Sequence, residues 1–160
     1  MTTGVGLHAS MGNAALAVKD AVYAQIKTAL ADAGEVEVDL SYGFRWPARW
    51  DDLVAVTAVR ADPGEGALGR QRRREITVSV DVNLIAWAPT DDEQVTHTRA
   101  FGLLDVIDRS FRAEPTLGGA AMWCLLGEVT SDGATDDDDA GHGRITEIAA
   151  TFDARVIVTN

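Results

Sequence analysis

The sequence predicts an α+β fold: one mostly antiparallel sheet, two helices packed on one of its faces, and a long projecting hairpin. Three observations carry this. Residues 75–87, EITVSVDVNLIAW, alternate Ile76, Val78, Val80, Val82, Leu84 and Ala86 with Glu75, Thr77, Ser79, Asp81 and Asn83, which is the period of a strand. Two other stretches, 14–33 and the segment ending before Pro115, repeat apolar residues at helical spacing. The resulting order, helix, three strands, helix, two strands, favours helices laid on one sheet.

Residues 75–87 would reach roughly 40 Å at about 3.3 Å per residue, well beyond the usual strand of about 5–6 residues. One end is therefore expected to project beyond the core and meet a partner. Ile85 and Trp87 add apolar groups to the second face. That end is expected to be covered on both sides, by the fold or by another chain.

In chain order, residues 1–12 are small and aperiodic and read as a flexible N-terminal lead, with 13–160 forming a single domain. Asn13 is placed to cap a helix over 14–33 whose stripe is Val18, Val22, Ile26, Ala29, Leu30 and Ala33, with Gly34 ending it. Val36, Val38 and Leu40 alternate as a first strand and residues 53–59 form a second. Between them, YGFRWPARW (residues 42–50) gathers Tyr42, Phe44, Trp46 and Trp50 with Arg45 and Arg49. Aromatic and arginine residues are enriched at protein contacts. The same loop could also simply fold over the edge of the core.

Gly64, Gly66 and Gly69 spell G-x-G-x-x-G, but the dinucleotide-binding turn must open a helix, and here RQRRR and a strand follow. The stretch reads as a flexible hairpin. Arg70, Arg72, Arg73 and Arg74 concentrate positive charge there, either as a solvated loop or as a tip that docks on an acidic surface. After Pro89, Thr90 or Asp91 caps a second helix with stripe Val95, Ala100, Leu103, Leu104, Ile107 and Phe111, and His97 is expected to face solvent. EPTLGG (residues 114–119) turns the chain into a strand over about 121–130, residues 131–143 form an acidic mobile loop, and residues 144–159 return as the last strand.

One hundred and sixty residues, 46% of them apolar, suit one ordinary core. The net charge of −11, from 25 acidic and 14 basic side chains, argues against a protein whose main task is gripping nucleic-acid phosphates. Like charge would let DNA pass nearby without sticking. Cys124, the single cysteine, reads as a small buried hydrophobe and excludes an intrachain disulfide. The first residues lack a signal peptide's pattern and no apolar run reaches the ~20 residues of a membrane span, so a soluble cytoplasmic protein is expected.

Asp136, Asp137, Asp138 and Asp139 with His142 form the one cluster that could attract a cation, but four adjacent aspartates do not place their carboxylates on one side. No nucleophile elbow, zinc-binding histidine pair or phosphate loop appears, so no catalytic residue, metal or cofactor is assigned and no enzyme is expected.

Several features together resemble one family: the amphipathic opening helix, the aromatic-proline loop, the arginine-rich hairpin feeding a long strand, the EPTLGG turn and the alternating finish TFDARVIV. The chain resembles the tail terminator, or tail completion, proteins of long-tailed bacteriophages. The resemblance implies a structural virion protein whose subunits form a homohexameric ring, cap the tail tube, end its polymerisation and present the head-joining surface. Its implied partners are further copies of itself, the tail tube protein and a head-tail connector or neck protein, with DNA only passing through the lumen and no membrane. Its implied location is the virion tail, after assembly in the host cytoplasm. The interaction residues expected on this basis are Arg45, Trp46, Arg49, Trp50, Arg70, Arg72, Arg73, Arg74, Ile85 and Trp87. Another neck, head-closure or tail tube subunit shares these properties. A divalent-metal module or enzyme built on the acidic loop is the alternative of a different class.

Overall fold

The computed structural model describes residues 4–45, 47–63, 73–136 and 143–159. Two helices and a six-stranded, mostly antiparallel sheet make an α+β fold. The strands are β1 (Leu7–His8), β2 (Val38–Tyr42), β3 (Asp52–Asp62), β4 (Arg73–Ala88), β5 (Trp123–Asp136) and β6 (Gly143–Thr159); the helices are α1 (Met11–Asp32) and α2 (Glu93–Ala113). β6 pairs with β4 along one side and with β5 and then β1 along the other, and β3 and β2 follow beyond β4.

β4 is the central strand, and its alternation decides the layering. Ile76, Val78, Val80, Val82, Leu84 and Ala86 are all at most 1% exposed and pack with both helices into one core. The intervening residues face the other side, on which no described helix packs. Within the described residues the strand does not overhang: it is paired with β6 from Arg73↔Thr159 to Ala88↔Arg144, because β6 is as long as β4.

Several boundaries differ from the sequence expectation for identifiable reasons. The lead is tied down over part of its length: β1 runs parallel to β6, Gly6 donates to Gly119 O (2.8 Å), and Ile157 donates to Gly6 O (2.7 Å). Gly6 sits at φ +70°, and a Cβ there would lie 2.6 Å from the Met122 backbone nitrogen, so a side chain is excluded twice over. α1 starts at Met11 because Ser10, in extended conformation, accepts from the Asn13 N–H; Asn13 is capped and is not the cap. α2 is capped by Asp92, one residue after the expected pair. Val36, expected in the first strand, precedes β2 and is 77% exposed, and Val95, expected on the buried stripe of α2, is 49% exposed.

β2 and β3 are parallel, not a hairpin. Residues 43–51 must therefore run back along β2 before β3 begins. The stretch 131–136, expected in the loop, belongs to β5 and pairs with β6 as far as Asp136↔Gly143. Two β-bulges sit in one row: Thr57 and Ala58 oppose Asp81 on one side, and Gly127 and Glu128 oppose Thr151 on the other, with Asp81 and Thr151 themselves paired. Bulges increase local twist, so both flanks of the sheet bend at the same level. No helix among the described residues is long and apolar enough to cross a membrane.

Candidate interaction surface

The aromatic loop is organised by one carboxylate. Asp39 lies on the face of β2 opposite the core-packed Val38 and Leu40 and is only 9% exposed. It accepts from the backbone N–H of Arg49 and, at 2.6 Å, of Trp50, with the Arg45 guanidinium 3.7 Å from its other oxygen. The loop is thereby folded back over the open sheet face. Phe44 is left 72% exposed, and the Arg49 guanidinium stacks over Trp50 at 5.1 Å. The loop covers the edge of the sheet and leaves an aromatic side chain and two guanidinium groups exposed. Trp46 lies outside the described residues.

The other expected interaction residues fall into two groups. Ile85 and Trp87 are half-buried on the open face at the loop's end of β4; Ile85 pairs with Leu53 and Glu147, and a Cβ at Gly143 would meet the Trp87 ring at 2.6 Å. The described arginines lie at the opposite end, about 40 Å away by the rise of twelve strand residues. Arg73 is exposed there, whereas Arg74 turns to the helix side, its guanidinium 3.2 Å from Met11 Sδ and its Nε buried without a hydrogen-bond partner among the described residues. Arg70, Arg72 and the G-x-G-x-x-G glycines lie outside the described residues.

The centre of the open face is a polar network at the row of the bulges. Arg60 grips Asp81 with two hydrogen bonds, 2.6 and 3.0 Å, while Thr151 donates to the same carboxylate at 3.1 Å. Ser79 donates to Asp153 at 2.7 Å. The Arg60 hydrogen bonds hold the Asp81 carboxyl below its ordinary range, against the smaller opposing effect of burial; Arg99 does the same for Glu35. A carboxylate with a depressed folded value contributes stability that is complete above its unfolded value, about pH 4, and is lost as pH falls through the folded value. Stability is therefore expected to drop between about pH 4 and lower pH. Asp81→Asn should remove about 0.5–1 kcal/mol of that dependence, given an Arg60 side chain 56% exposed. Urea midpoints at pH 7, 4 and 3 for the two proteins check this; parallel curves would mean the pair is not formed.

His97 does not face solvent freely. Its Nδ1 is 3.3 Å from Thr146 Oγ1 and its Nε2 3.4 Å from Ser131 Oγ, with Phe101 against the ring. Thr96 Oγ1 is 3.0 Å from Glu93 O, to which it can donate, and shares a 2.7 Å hydrogen bond with Thr146 Oγ1. The contacts of Thr146 with Thr96 and with His97 Nδ1 tie α2 to β6. This also explains why Thr96, 1% exposed, replaces Val95 on the buried stripe. Cys124 is fully buried, and burial pushes its thiol up to about 12, with Asp153 adding to the shift. Among the described residues no group of three or more His, Cys, Asp or Glu could hold a metal ion. Asp137, Asp138, Asp139 and His142 lie outside them.

Sequence reasoning missed two features of this surface. Asp39 carried no signal beyond its place in an alternating strand. The carboxylates of Asp132 and Glu147 are far apart in sequence but directly opposed across β5 and β6, which only the register reveals. No protein-family model matches the sequence, and no curated protein matches it.

Proposed function

We propose that this chain is the subunit of a homohexameric virion ring that caps a phage tail tube, ends its polymerisation and offers the surface to which the head is joined. The observation that carries the reading is a sheet with one helix-free face whose two lateral margins both expose apolar side chains. At the β2 margin these are Tyr42 and Phe44; at the β5 margin they are Met122, Trp123 and Leu125. Different surfaces at opposite margins suit a head-to-tail contact, which closes into a ring when the rotation between copies allows it. The element order α1, β2–β4, α2, β5–β6 supports the resemblance to tail terminators.

Native mass spectrometry and negative-stain imaging over a concentration series test this. Closed hexameric rings are the expected result, and replacing Phe44 by alanine should weaken them by up to about 2 kcal/mol per contact if it is an anchor. Open filaments would replace the terminator reading with that of a tube subunit.

A further inference from the structure

Two adjoining concavities run along the open face over β5 and β6. One, of about 270 Å³, is lined by Arg60, Asp81, Glu128 and Thr151 among others. The next, of about 320 Å³, is lined by Asp132 and Glu147, and the two share Thr130 and Ala149. Through the shared residues the two adjoin as one groove, with the carboxylates of Glu128, Asp132 and Glu147 in its lining. Arg60 is already committed to Asp81, while Glu128, Asp132 and Glu147 have no cation within ion-pair distance among the described residues. Asp132 and Glu147 are moreover directly opposed across the two strands. Like charges so placed destabilise a sheet. The groove thus has the shape and charge to accept an extended cationic segment.

The chain contains one such segment, RQRRR over residues 70–74. Chain length keeps it from lying along its own groove, which extends to Glu147, opposite Ile85. Arg73 is fixed in β4 six residues before Ser79, whose cross-strand neighbour Arg60 lines the near end of the groove, a separation of roughly 20 Å along the strand. Arg70, three residues further back, can lie at most about 11 Å from Arg73. The occupant must come from another molecule. We propose that the groove over β5 and β6 receives the arginine-rich segment, residues 70–73, of a second copy of this chain. This rests on the ring reading and names its contact: a basic segment at one end of the sheet entering an acidic groove on the next subunit. Arg74 takes no part, since it is turned against Met11.

A peptide of residues 68–74, LGRQRRR, titrated into the full chain at low salt is the test, alongside a variant combining Glu128→Gln, Asp132→Asn and Glu147→Gln. Binding to the wild type should weaken about tenfold or more in the variant and with added salt. The variant's unfolding midpoint should stay level or rise, because like-charge repulsion has been removed. No peptide binding at low salt would overturn the proposal, as would equal binding of a heptalysine peptide. Native mass spectra of the same proteins separate the two readings. Rings that persist unchanged in the variant overturn the groove assignment and leave the ring standing. Groove-dependent peptide binding by a chain that forms no rings upholds the groove and counts against the ring.

Discussion

Replacing Phe152 by alanine is expected to cost about 3–5 kcal/mol, the range for truncating a fully buried aromatic. Phe152 is 0% exposed, sits on β6 opposite Val80 of β4 and Leu126 of β5, and has its ring centroid 4.4 Å from that of Phe111 on α2. It therefore joins the three longest strands to the second helix. The cavity left by alanine cannot collapse easily, because the residues around it belong to elements already fixed by the sheet. Against a total stability of about 5–15 kcal/mol this is a large fraction, and the melting temperature should fall by about 10 °C or more. Phe152→Leu, which keeps most of the volume, should cost about 1.5 kcal/mol. If alanine costs less than leucine, α2 is not packed on β6 in this way.

Asp39→Ala is expected to lower stability by about 1–3 kcal/mol and to release the aromatic loop. Its carboxylate is the acceptor for two consecutive backbone N–H groups, and removing it leaves both without a partner in a half-buried setting. Water can satisfy them only if residues 43–51 lift from the sheet. Trypsin is a direct probe, since Arg45 and Arg49 both lie in that loop and are exposed. Cleavage there should accelerate in Asp39→Ala, and Asp39→Asn, which keeps an acceptor oxygen, should fall between it and the wild type. Unchanged cleavage would mean that the loop is held by other contacts.

The architecture was legible where a period was long and one-sided. Residues 75–87 and 144–159 each bury one face, so alternation fixed both strands and their inward residues. The two helical stripes were legible for the same reason. Pairing was not. Nothing in VEVDL and LVAVTAV distinguishes parallel from antiparallel neighbours; the strands are parallel, and the loop that returns between them is held by the Asp39 carboxylate. The length of β4 was legible but its meaning was not, because an equally long β6 lies 55 residues beyond its end in the sequence. Charge was misread locally for a similar reason. The acidic stretch after Thr130 looked like loop because its composition is polar, yet six of its residues, 131–136, extend a strand and set Asp132 against Glu147.

The position of β6 also bears on how the protein is made. It takes part in three of the five strand pairings and is the last strand in the sequence. α1, β2, β3 and β4 are synthesised well before it, with one edge of β4 and much of its apolar face waiting for a neighbour. At about 5–20 residues per second, the interval between completing β4 and β6 is on the order of ten seconds. For that time the nascent chain exposes a long, Val-rich strand to its surroundings. Shielding by a chaperone during translation would then matter more for the yield of this protein than the stability of the finished fold.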